Sequence, residues 1–472
     1  MIKISFIRHA TVISLLCVAP FGVWADSITV PTTLEQARPS RPALPRWAEN
    51  YAFLKDESKK TDPFDSLRYV SLGDSAWLQT GAEVRYRADS IDKPFFGLRG
   101  VNDDSYLQQR LQLHGDLHLF DDQLRVFTQL QDTRTWGKDL FSPFDESRTE
   151  FQQAFVDWNL KFNSGYRLAT RLGRQELVYG SLMLISDRDV PNIRNNLDGA
   201  KVMLKTPGGI SVDAFALRPV EYGLKSFDDQ ASDDIKFYGI YSTIPISKAV
   251  NFDFYGLDLE TKDRNLAGVI GDEKRYTVGT RIFGKNNGFD WTWDVAGQFG
   301  HLGDAQIRAW FVSGATGYTF DHPWVPRIAV RSDISSGDSK RGDNKVGTFD
   351  PLYSKNGYYG EASLTTLSNL IVFGPSFAFS PAPQLRIEPA IYKAWRENTN
   401  DGVYFTGMSL VPNSPNASGK SVGTIYKATG RWLASRNVTV DMDWEYFDVG
   451  RAVRDVGGQS VHFVSLRTTF RY

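Results

Sequence analysis

A period-two alternation of apolar and polar residues recurs along most of this chain and restricts its fold more than any other feature. In residues 107–120, Leu111 and Leu113 share one face of a predicted strand, while Gln112 and His114 share the other. Successive side chains of a strand point to opposite faces, so each such segment has one apolar and one polar surface. Segments of this kind, roughly 10–14 residues long, follow one another from residue 76 onward. They predict an all-β fold.

The connections between these segments alternate between short and long. The short ones lie at 121–122, 163–165, 207–209, 247–248, 286–288, 321–323, 381–383 and 435–437. The long ones lie around 89–105, 136–148, 174–196, 222–234, 261–273, 300–306, 337–369, 397–420 and 449–458. Eight short turns and nine long loops join eighteen strands, which predicts a transmembrane antiparallel up-and-down β-barrel with both termini in the periplasm. Residues 357–369 also alternate, but another strand would break the even count, so they are assigned to a loop.

The first 25 residues have the pattern of a secretory signal peptide. Lys3 and Arg8 precede an apolar stretch at 10–23, and Ala25 offers a small residue for cleavage. The single cysteine, Cys17, lies inside this segment, so the mature chain is expected to have no thiols. We therefore predict three parts: a signal peptide (1–25), a periplasmic lead (26–75) and an outer-membrane barrel (76–472).

The composition of the remaining chain fits this location. No run of 18 apolar residues follows the signal peptide, so no transmembrane helix is predicted. Aromatic residues make up 13% of the chain, as expected if they form girdles at both membrane interfaces. Without residues 1–25, Lys+Arg falls from 54 to 52 against 55 Asp+Glu, a net charge of −3, which gives no reason to expect a nucleic-acid partner.

The C-terminal segment has the pattern of a closing barrel strand. Val464, Leu466 and Phe470 alternate with Arg467 and Arg471, and the chain ends on an aromatic residue. We expect the apolar face to contact lipid and lipopolysaccharide, and the arginines to face a water-filled lumen. The same strand is the expected recognition signal for the barrel assembly machinery, and the barrel is expected to be a monomer.

Arginine is the main cation on the polar faces of the predicted strands. The cations there are Arg85, Arg87, Arg110, Arg125, Arg167, Arg171, Lys201, Arg275, Arg281, Arg327, Arg331, Arg386, Arg396, Arg431, Arg467 and Arg471, and acids such as Glu83, Asp116 and Asp157 are interspersed among them. A lumen that carries many guanidinium groups attracts anions. This favours a channel for an anionic saccharide, although any wide porin lines its lumen with paired Arg and Asp/Glu.

The stretch at 171–204, RLGRQELVYGSLMLISDRDVPNIRNNLDGAKVML, resembles the alginate export family of outer-membrane channels. Further matches lie at 72–73, 81–85, 106–110, 360–361, 367–370 and 395–396. The resemblance implies an eighteen-stranded barrel with an electropositive pore that passes a negatively charged exopolysaccharide, alginate or a similar uronate polymer. By matching position, it implies that constriction residues are Arg171, Arg174, Asp187, Arg188, Asn192, Arg194 and Arg396. One difference is that the family's exporter has a long periplasmic loop before its penultimate strand, whereas only residues 435–437 stand there in this chain, so gating by that loop is not expected.

The predicted pore-lining and substrate-binding residues combine the lumen arginines with the family matches. They are Arg85, Arg110, Arg125, Arg167, Arg171, Arg174, Asp187, Arg188, Asn192, Arg194, Arg331, Arg396, Arg467 and Arg471. No cofactor, metal site or catalytic residue is predicted. A general porin for small anionic or aromatic solutes and a barrel-embedded hydrolase are the alternative functions.

Two groups of residues have the chemistry of a metal site, but each has a simpler structural explanation. Asp187, Asp189, Asn192 and Asp198 could supply oxygen ligands for calcium, but pairing with Arg188 and Arg194 is the preferred interpretation. His114 and His118 are four residues apart on one predicted strand face, about 13 Å, which is too far for one zinc ion.

Overall fold

The computed structural model describes residues 45–472. The predicted signal peptide and residues 26–44 of the predicted lead lie outside the described residues. Among the described residues, no helix is both long and apolar enough to cross a membrane.

Eighteen long strands form one closed antiparallel barrel, which confirms the predicted fold class. Each strand pairs with its neighbours in the chain, and the first pairs with the last, from Glu83 opposite Arg471 to Asp92 opposite His462. The strands are β1 (Trp77–Asp92), β2 (Asp103–Leu119), β3 (Leu124–Trp136), β4 (Ser147–Lys161), β5 (Arg167–Gln175), β6 (Leu197–Lys205), β7 (Ser211–Glu221), β8 (Ile235–Pro245), β9 (Val250–Leu266), β10 (Val269–Asn286), β11 (Phe289–Leu302), β12 (Ala305–Thr319), β13 (Arg327–Ser335), β14 (Leu370–Ala382), β15 (Leu385–Arg396), β16 (Ser421–Leu433), β17 (Val438–Val449) and β18 (Val461–Arg471).

The other regular elements are short. Two one-turn helices, α1 (Asp65–Arg68) and α2 (Arg451–Arg454), accompany 3-10 turns at Arg46–Ala48, Ala52–Lys55, Glu57–Lys59, Pro94–Gly97 and Ser414–Asn416. Two-residue strands lie at Val70–Ser71, Gln230–Ala231 and Lys345–Val346. Val70–Ser71 pairs with the start of β1, so the described part of the lead is attached to the barrel wall.

The eight predicted short turns all join consecutive strands at one end of the barrel, called the short-turn end below. The opposite, long-loop end carries the other nine connections, and two of these were wrongly predicted to be long. Residues 261–273 and 300–306 lie mostly in strands that continue to two-residue turns at 267–268 and 303–304. Their alternation is lost because charged residues such as Lys262 and Arg264 occupy both faces of these extensions.

The two faces of the wall follow the predicted alternation. On β2, Arg110, Gln112 and His114 are buried in the lumen, whereas Leu111 and Leu113 are exposed on the outside. Exposed aromatic residues such as Trp158, Trp324 and Trp432 add to the outer apolar surface. This surface is the one expected to contact lipid, because a spanning barrel must present apolar side chains to hydrocarbon.

Three long loops pack together inside the long-loop half of the barrel. Residues 176–196 and 336–369 are joined by backbone hydrogen bonds, including Ser186 N to Tyr353 O at 2.9 Å. Residues 397–420 join them through Thr348 Oγ1, which donates to Asp401 at 2.6 Å. Buried apolar side chains from all three loops, among them Ile185, Phe349 and Phe405, pack with wall residues in one cluster. Residues 357–369 belong to the second loop, as predicted.

The described lead enters the barrel from the short-turn end. Arg46 donates to the backbone carbonyls of Ala82 at 3.1 Å and of Tyr472 at 2.5 Å, which attaches the lead where the barrel closes. Trp47 lies further inside, packed with Phe127 and Phe155 of the wall. The lumen is therefore occupied from both ends.

Candidate pore and its cationic mouth

A cavity of about 590 Å³ lies in the short-turn half of the lumen. Its walls are the inner faces of neighbouring strands, the start of loop 176–196 and the lead. The predicted residues Arg125, Arg167 and Arg171 line it, together with Lys201 and Trp47. Its volume is within the range of small-molecule binding pockets.

Three cations lie side by side at the mouth of this cavity. Lys161 on β4 is directly opposite Arg167 on β5, which in turn is directly opposite Lys205 on β6. All three line the cavity, and no carboxylate of the described residues forms a salt bridge with any of them. Like charges directly opposite each other destabilise a sheet. This group, called the cation row below, is therefore a local cluster of positive charge without a salt bridge among the described residues.

A second row of charges crosses the wall four residues further in. Arg125, Asp157, Arg171 and Lys201 follow one another in register on β3 to β6. Asp157 accepts two bonds from Arg171, at 2.7 and 2.8 Å, and lies 3.6 Å from Arg125. Lys201 lies 3.5 Å from Asp213. Here acids and bases are interspersed, and Arg171 and Lys201, called the inner pair below, are fully or almost fully buried.

Loop 176–196 is held against the wall by arginines of β1 and β2. Arg110 donates to the Asp189 carboxylate at 2.6 Å, and Arg85 donates to the Asp189 carbonyl at 2.9 Å. Arg194 of the loop itself lies 3.6 Å from the same carboxylate and 2.7 Å from Glu176. Although burial alone would raise it, the neighbouring guanidinium groups hold the pKa of Asp189 well below its usual range. These predicted pore residues act as anchors of the loop.

Asn192 and Arg188 attach the same loop at two further points. The Asn192 amide nitrogen lies 2.9 to 3.1 Å from the carbonyl oxygens of Gln109, Arg134 and Asp145, and its oxygen accepts from Arg85 at 3.2 Å. Arg188 donates to the carbonyls of Leu352 and Ser354, both at 3.1 Å, and so joins the two long loops. Asp187 is half-buried beside them, and its desolvation raises its pKa.

The predicted residues on the other side of the barrel are also paired. Arg331 bonds Asp333 at 3.2 Å, Arg467 bonds Asp441 at 3.2 Å, and Arg471 bonds Glu83 at 2.6 Å across the barrel closure. Arg396 is fully buried and donates only to backbone carbonyls of loop 397–420, including those of Asp401 and Ala417. It organises that loop and presents no free charge to the lumen.

Arg174 is not a pore residue, which corrects the prediction. It lies an odd number of residues from Arg171 and so points to the outer face, where it pairs with Asp198 at 2.9 and 3.1 Å. This also separates Asp198 from Asp189, so the four residues weighed as calcium ligands do not meet. In the described part of the chain, only Glu150, Asp228 and Asp229 bring three acidic or histidine ligand atoms within 4.8 Å of one another.

Sequence reasoning missed two members of the cation row, Lys161 and Lys205. Both were hidden by their position at strand ends, where alternation gives the weakest signal. The tight turn at 163–165 places Lys161 opposite Arg167, and the turn register could have shown this pair. Lys205 is opposite Arg167 through the pairing of β5 with β6, which spans the 21-residue loop between them and is not a local signal.

The sequence was compared with known protein families, curated proteins and solved structures. The family model for alginate export matches residues 76–466. The chain belongs to the alginate export family. Its matched region spans nearly the whole barrel, from the residue before β1 into β18. The alginate export family and this fold are those of outer-membrane channels and not an enzyme class. No curated protein matches the sequence.

Solved structures similar to this alginate export family member are outer-membrane porins. A BenF-like porin from Pseudomonas fluorescens Pf-5 has a TM-score of 0.57 and 10% identity, over 84% of this chain and 98% of the porin. Pseudomonas aeruginosa OccK11 (OpdR) has a TM-score of 0.53 and 12% identity, over 83% and 95%. OccK2 (OpdF) from the same organism, solved in complex with glucuronate, has a TM-score of 0.56 and 10% identity, over 84% and 97%. The chain is thus a porin-like channel of the bacterial outer membrane.

Proposed function

We propose that this channel passes anionic saccharides, uronate oligomers of the alginate type, and that the cation row is where they enter the lumen from the short-turn end. The observation that carries the proposal is the register of Lys161, Arg167 and Lys205, three cations in line that form no salt bridge with the described residues. The three cations repel one another, and a bound anion would reduce this electrostatic repulsion.

The chemistry of the row suits a carboxylate on a flexible polymer. Arg167 offers a planar fork for a carboxylate, and the two lysines offer compact charges that bind one oxygen each. A low-dielectric wall that carries such a group concentrates anions at the mouth of the cavity. Glucuronate, which was found bound to a porin of the same fold, is therefore a suitable monomeric probe.

The other lumen arginines support the lumen's structure more than they bind anions. Arg85, Arg110 and Arg194 share the carboxylates of Asp189, Glu83 and Glu176. Arg467 and Arg471 are paired as well. The proposal therefore places anion selectivity in the unpaired cations at the mouth, and not in the arginine lining as a whole.

A general porin for small anions is the second candidate, and the three loops packed in the long-loop half favour it. A saccharide polymer passes that half only if the loops move apart, whereas the cavity accommodates a small anion as it stands. The two candidates differ in the size of solute that blocks the channel. A mannuronate oligomer that blocks at lower concentration than glucuronate supports the polymer channel; equal or weaker block supports the small-anion porin.

Planar-bilayer recording tests the role of the cation row. Arg167→Gln/Lys205→Gln is compared with Arg174→Gln/Arg218→Gln, which removes the same charge from the outer face of neighbouring strands. The first pair is expected to raise the half-blocking concentration of a mannuronate oligomer about tenfold, since two surface charge contacts contribute roughly 0.7 kcal/mol each. The control pair should leave it unchanged. Cation preference in the native channel, or current indifferent to uronates, would reject the proposal.

We further propose how the protein reaches and occupies the membrane. Cleavage after Ala25 releases the lead into the periplasm, which is then the side of the short turns. Phe470 and Tyr472 on β18 supply the signal to the barrel assembly machinery, and the outer apolar surface contacts lipid and lipopolysaccharide. The closure of β1 on β18 leaves no free strand edge, which supports a monomer.

A further inference from the structure

A tryptophan of the lead covers the inner pair of cations. The Arg171 guanidinium lies 4.4 Å from the centre of the Trp47 ring, and the Lys201 ammonium lies 5.7 Å from it. On its other side, Arg171 lies 3.6 Å from the ring of Phe155. Arg171 has no exposed surface, and Lys201 is 4% exposed. The indole thus covers two cations of the cavity wall and leaves them almost no exposed surface.

The covered arrangement leaves hydrogen-bond donors without acceptors. Asp157 accepts hydrogen bonds from Nε and Nη2 of Arg171. Nη1 of Arg171 is buried and has no partner among the described residues. The indole Nε1 of Trp47 is buried and equally without a partner in the part of the chain that the structure describes. Buried donors that lack an acceptor are unfavourable, and most native structures avoid them. An oxygen-rich anion bound at Arg171 would satisfy the Nη1 donor, and displacement of Trp47 would expose its indole N–H to water.

The inner pair also continues the path that starts at the mouth. Arg171 follows Arg167 by four residues on β5, roughly 13 Å further into the lumen. Lys201 is directly opposite Arg171, as Lys205 is opposite Arg167. The wall of β5 and β6 therefore repeats the same Arg–Lys pair at two depths, with Ala169 and Met203 between them. Arg167 and Lys205 are open to the cavity, whereas Trp47 covers Arg171 and Lys201.

We propose that Arg171 and Lys201 form a second carboxylate subsite, which Trp47 masks in the closed channel and which an anionic saccharide occupies by displacing the indole. The inference rests on the proposed function, because it assigns the next step of the same path. A carboxylate that accepts from Nη1 of Arg171 and from the Lys201 ammonium binds more strongly than a cation–π contact. Trp47 is then a specificity residue: only solutes that bring a negative charge to the inner pair replace it.

The Trp47→Ala variant tests the mask directly in planar bilayers. Its half-blocking concentration for a mannuronate oligomer is expected to be about tenfold lower than that of the native channel, the change that corresponds to losing one desolvated cation–π contact. Phe53→Ala, which removes a buried aromatic of the same lead from a different cluster, is the matched control and should leave block unchanged. Adding Lys201→Gln to Trp47→Ala should reverse the gain, and Lys201→Gln alone should weaken block of the native channel, because it removes half of the subsite.

Cysteine labelling tests displacement of the lead in a channel that retains Trp47. The mature chain is expected to be free of cysteine, so Ala48→Cys and Ser58→Cys each give a single thiol. A mannuronate oligomer, but not a neutral maltooligosaccharide, should speed maleimide modification at the half-buried position 48 and leave the exposed position 58 unchanged.

The outcomes separate this inference from the function on which it rests. If uronates block the native channel but Trp47→Ala gives no tighter block and position 48 shows no change in labelling, the masked subsite is wrong and the proposed function stands. If uronates block neither the native channel nor Trp47→Ala while both conduct, the proposed function itself fails. Equal gains in Trp47→Ala and Phe53→Ala would attribute the effect to a loosened lead, and would also reject the subsite.

Discussion

Arg167 and Lys205 lie directly opposite each other on β5 and β6, with a third cation, Lys161, on the other side of Arg167. Two like charges in register across neighbouring strands cost stability, and no acid among the described residues offsets them with a salt bridge. The barrel thus maintains an unfavourable contact at the mouth of the lumen cavity. Stability and the proposed binding of an anion are opposed at this point.

Replacing Lys205 with Glu should therefore stabilise the barrel and impair it as an anion channel. The new Arg167–Glu pair is expected to add about 0.5 kcal/mol to the free energy of unfolding, because cross-strand pairs of opposite charge contribute in that range. The reversal potential in a salt gradient should shift toward cations. Lys248→Glu makes the same charge change in a turn at the same end and is the control; if it shifts the reversal potential equally, the register of the row is irrelevant.

Asp189 acts as a counter-anion for three arginines inside the barrel. Its carboxylate lies 2.6 Å from Arg110, 3.6 Å from Arg194 and 3.7 Å from Arg85. Asp189→Asn removes this charge and should raise the anion-to-cation permeability ratio on the order of threefold at low salt, and less at high salt, since screening weakens the exposed field. Asp304→Asn, in an exposed two-residue turn, should change the ratio little. An unchanged ratio in Asp189→Asn would show that these three arginines contribute nothing to selectivity, even when their counter-anion is removed.

The side-chain amide of Asn192 fixes loop 176–196 to the barrel wall. Its nitrogen donates to backbone carbonyls of Gln109 and Arg134, and its oxygen accepts from Arg85. Asn192→Ala leaves buried carbonyls without a donor, and each such group costs roughly 1–3 kcal/mol. The loop should then open more often, which trypsin cleavage between residues 176 and 196 and a noisier open current would both report. Asn195→Ala is a matched control, since the buried Asn195 amide nitrogen has no partner in the described chain. Equal cleavage of both variants would contradict this role.

The barrel strands could be predicted because the pattern that specifies them lies within short segments of the sequence. Alternation with a period of two places Leu111 outside and Arg110 inside without any knowledge of neighbouring strands, and turn residues mark each hairpin. The same rule also shows its limit. Lys262 and Arg264 lie on strand extensions with polar residues on both faces, and the alternation that would have identified them as strand is absent.

The candidate site could be predicted only in part, because its contacts are long-range. Arg174 was assigned to the pore from its match to a family motif, although its odd spacing from Arg171 already placed it outside. Arg396 was assigned correctly to the inner face, yet nothing local indicates that loop 397–420 would surround it with carbonyl groups. Trp47 lies 124 positions before Arg171 in the sequence, so their contact is invisible to any periodic pattern.

The carboxyl group of Asp229 makes the stability of loop 222–234 depend on pH. Its carboxylate accepts from Gly223 N at 2.7 Å, but its other oxygen is buried without a partner among the described residues, close to Glu150. Burial raises the pKa of Asp229 to about 6. The charged form is thus disfavoured in the closed loop, which should be most stable below pH 4 and lose stability as the pH rises toward and through 6.

Asp229→Asn, which mimics the protonated acid, should stabilise the closed loop at pH 8 by about 1 kcal/mol, a value reduced by partial solvent screening, and have no effect at pH 4. A spin label at the exposed position of Ser226→Cys reports the result: the label should become less mobile at pH 8 in the variant. Asp233→Asn, 89% exposed in the same loop, should leave label mobility unchanged at both pH values. A gain of equal size at pH 4 and pH 8 would show that shape, and not charge, controls the loop.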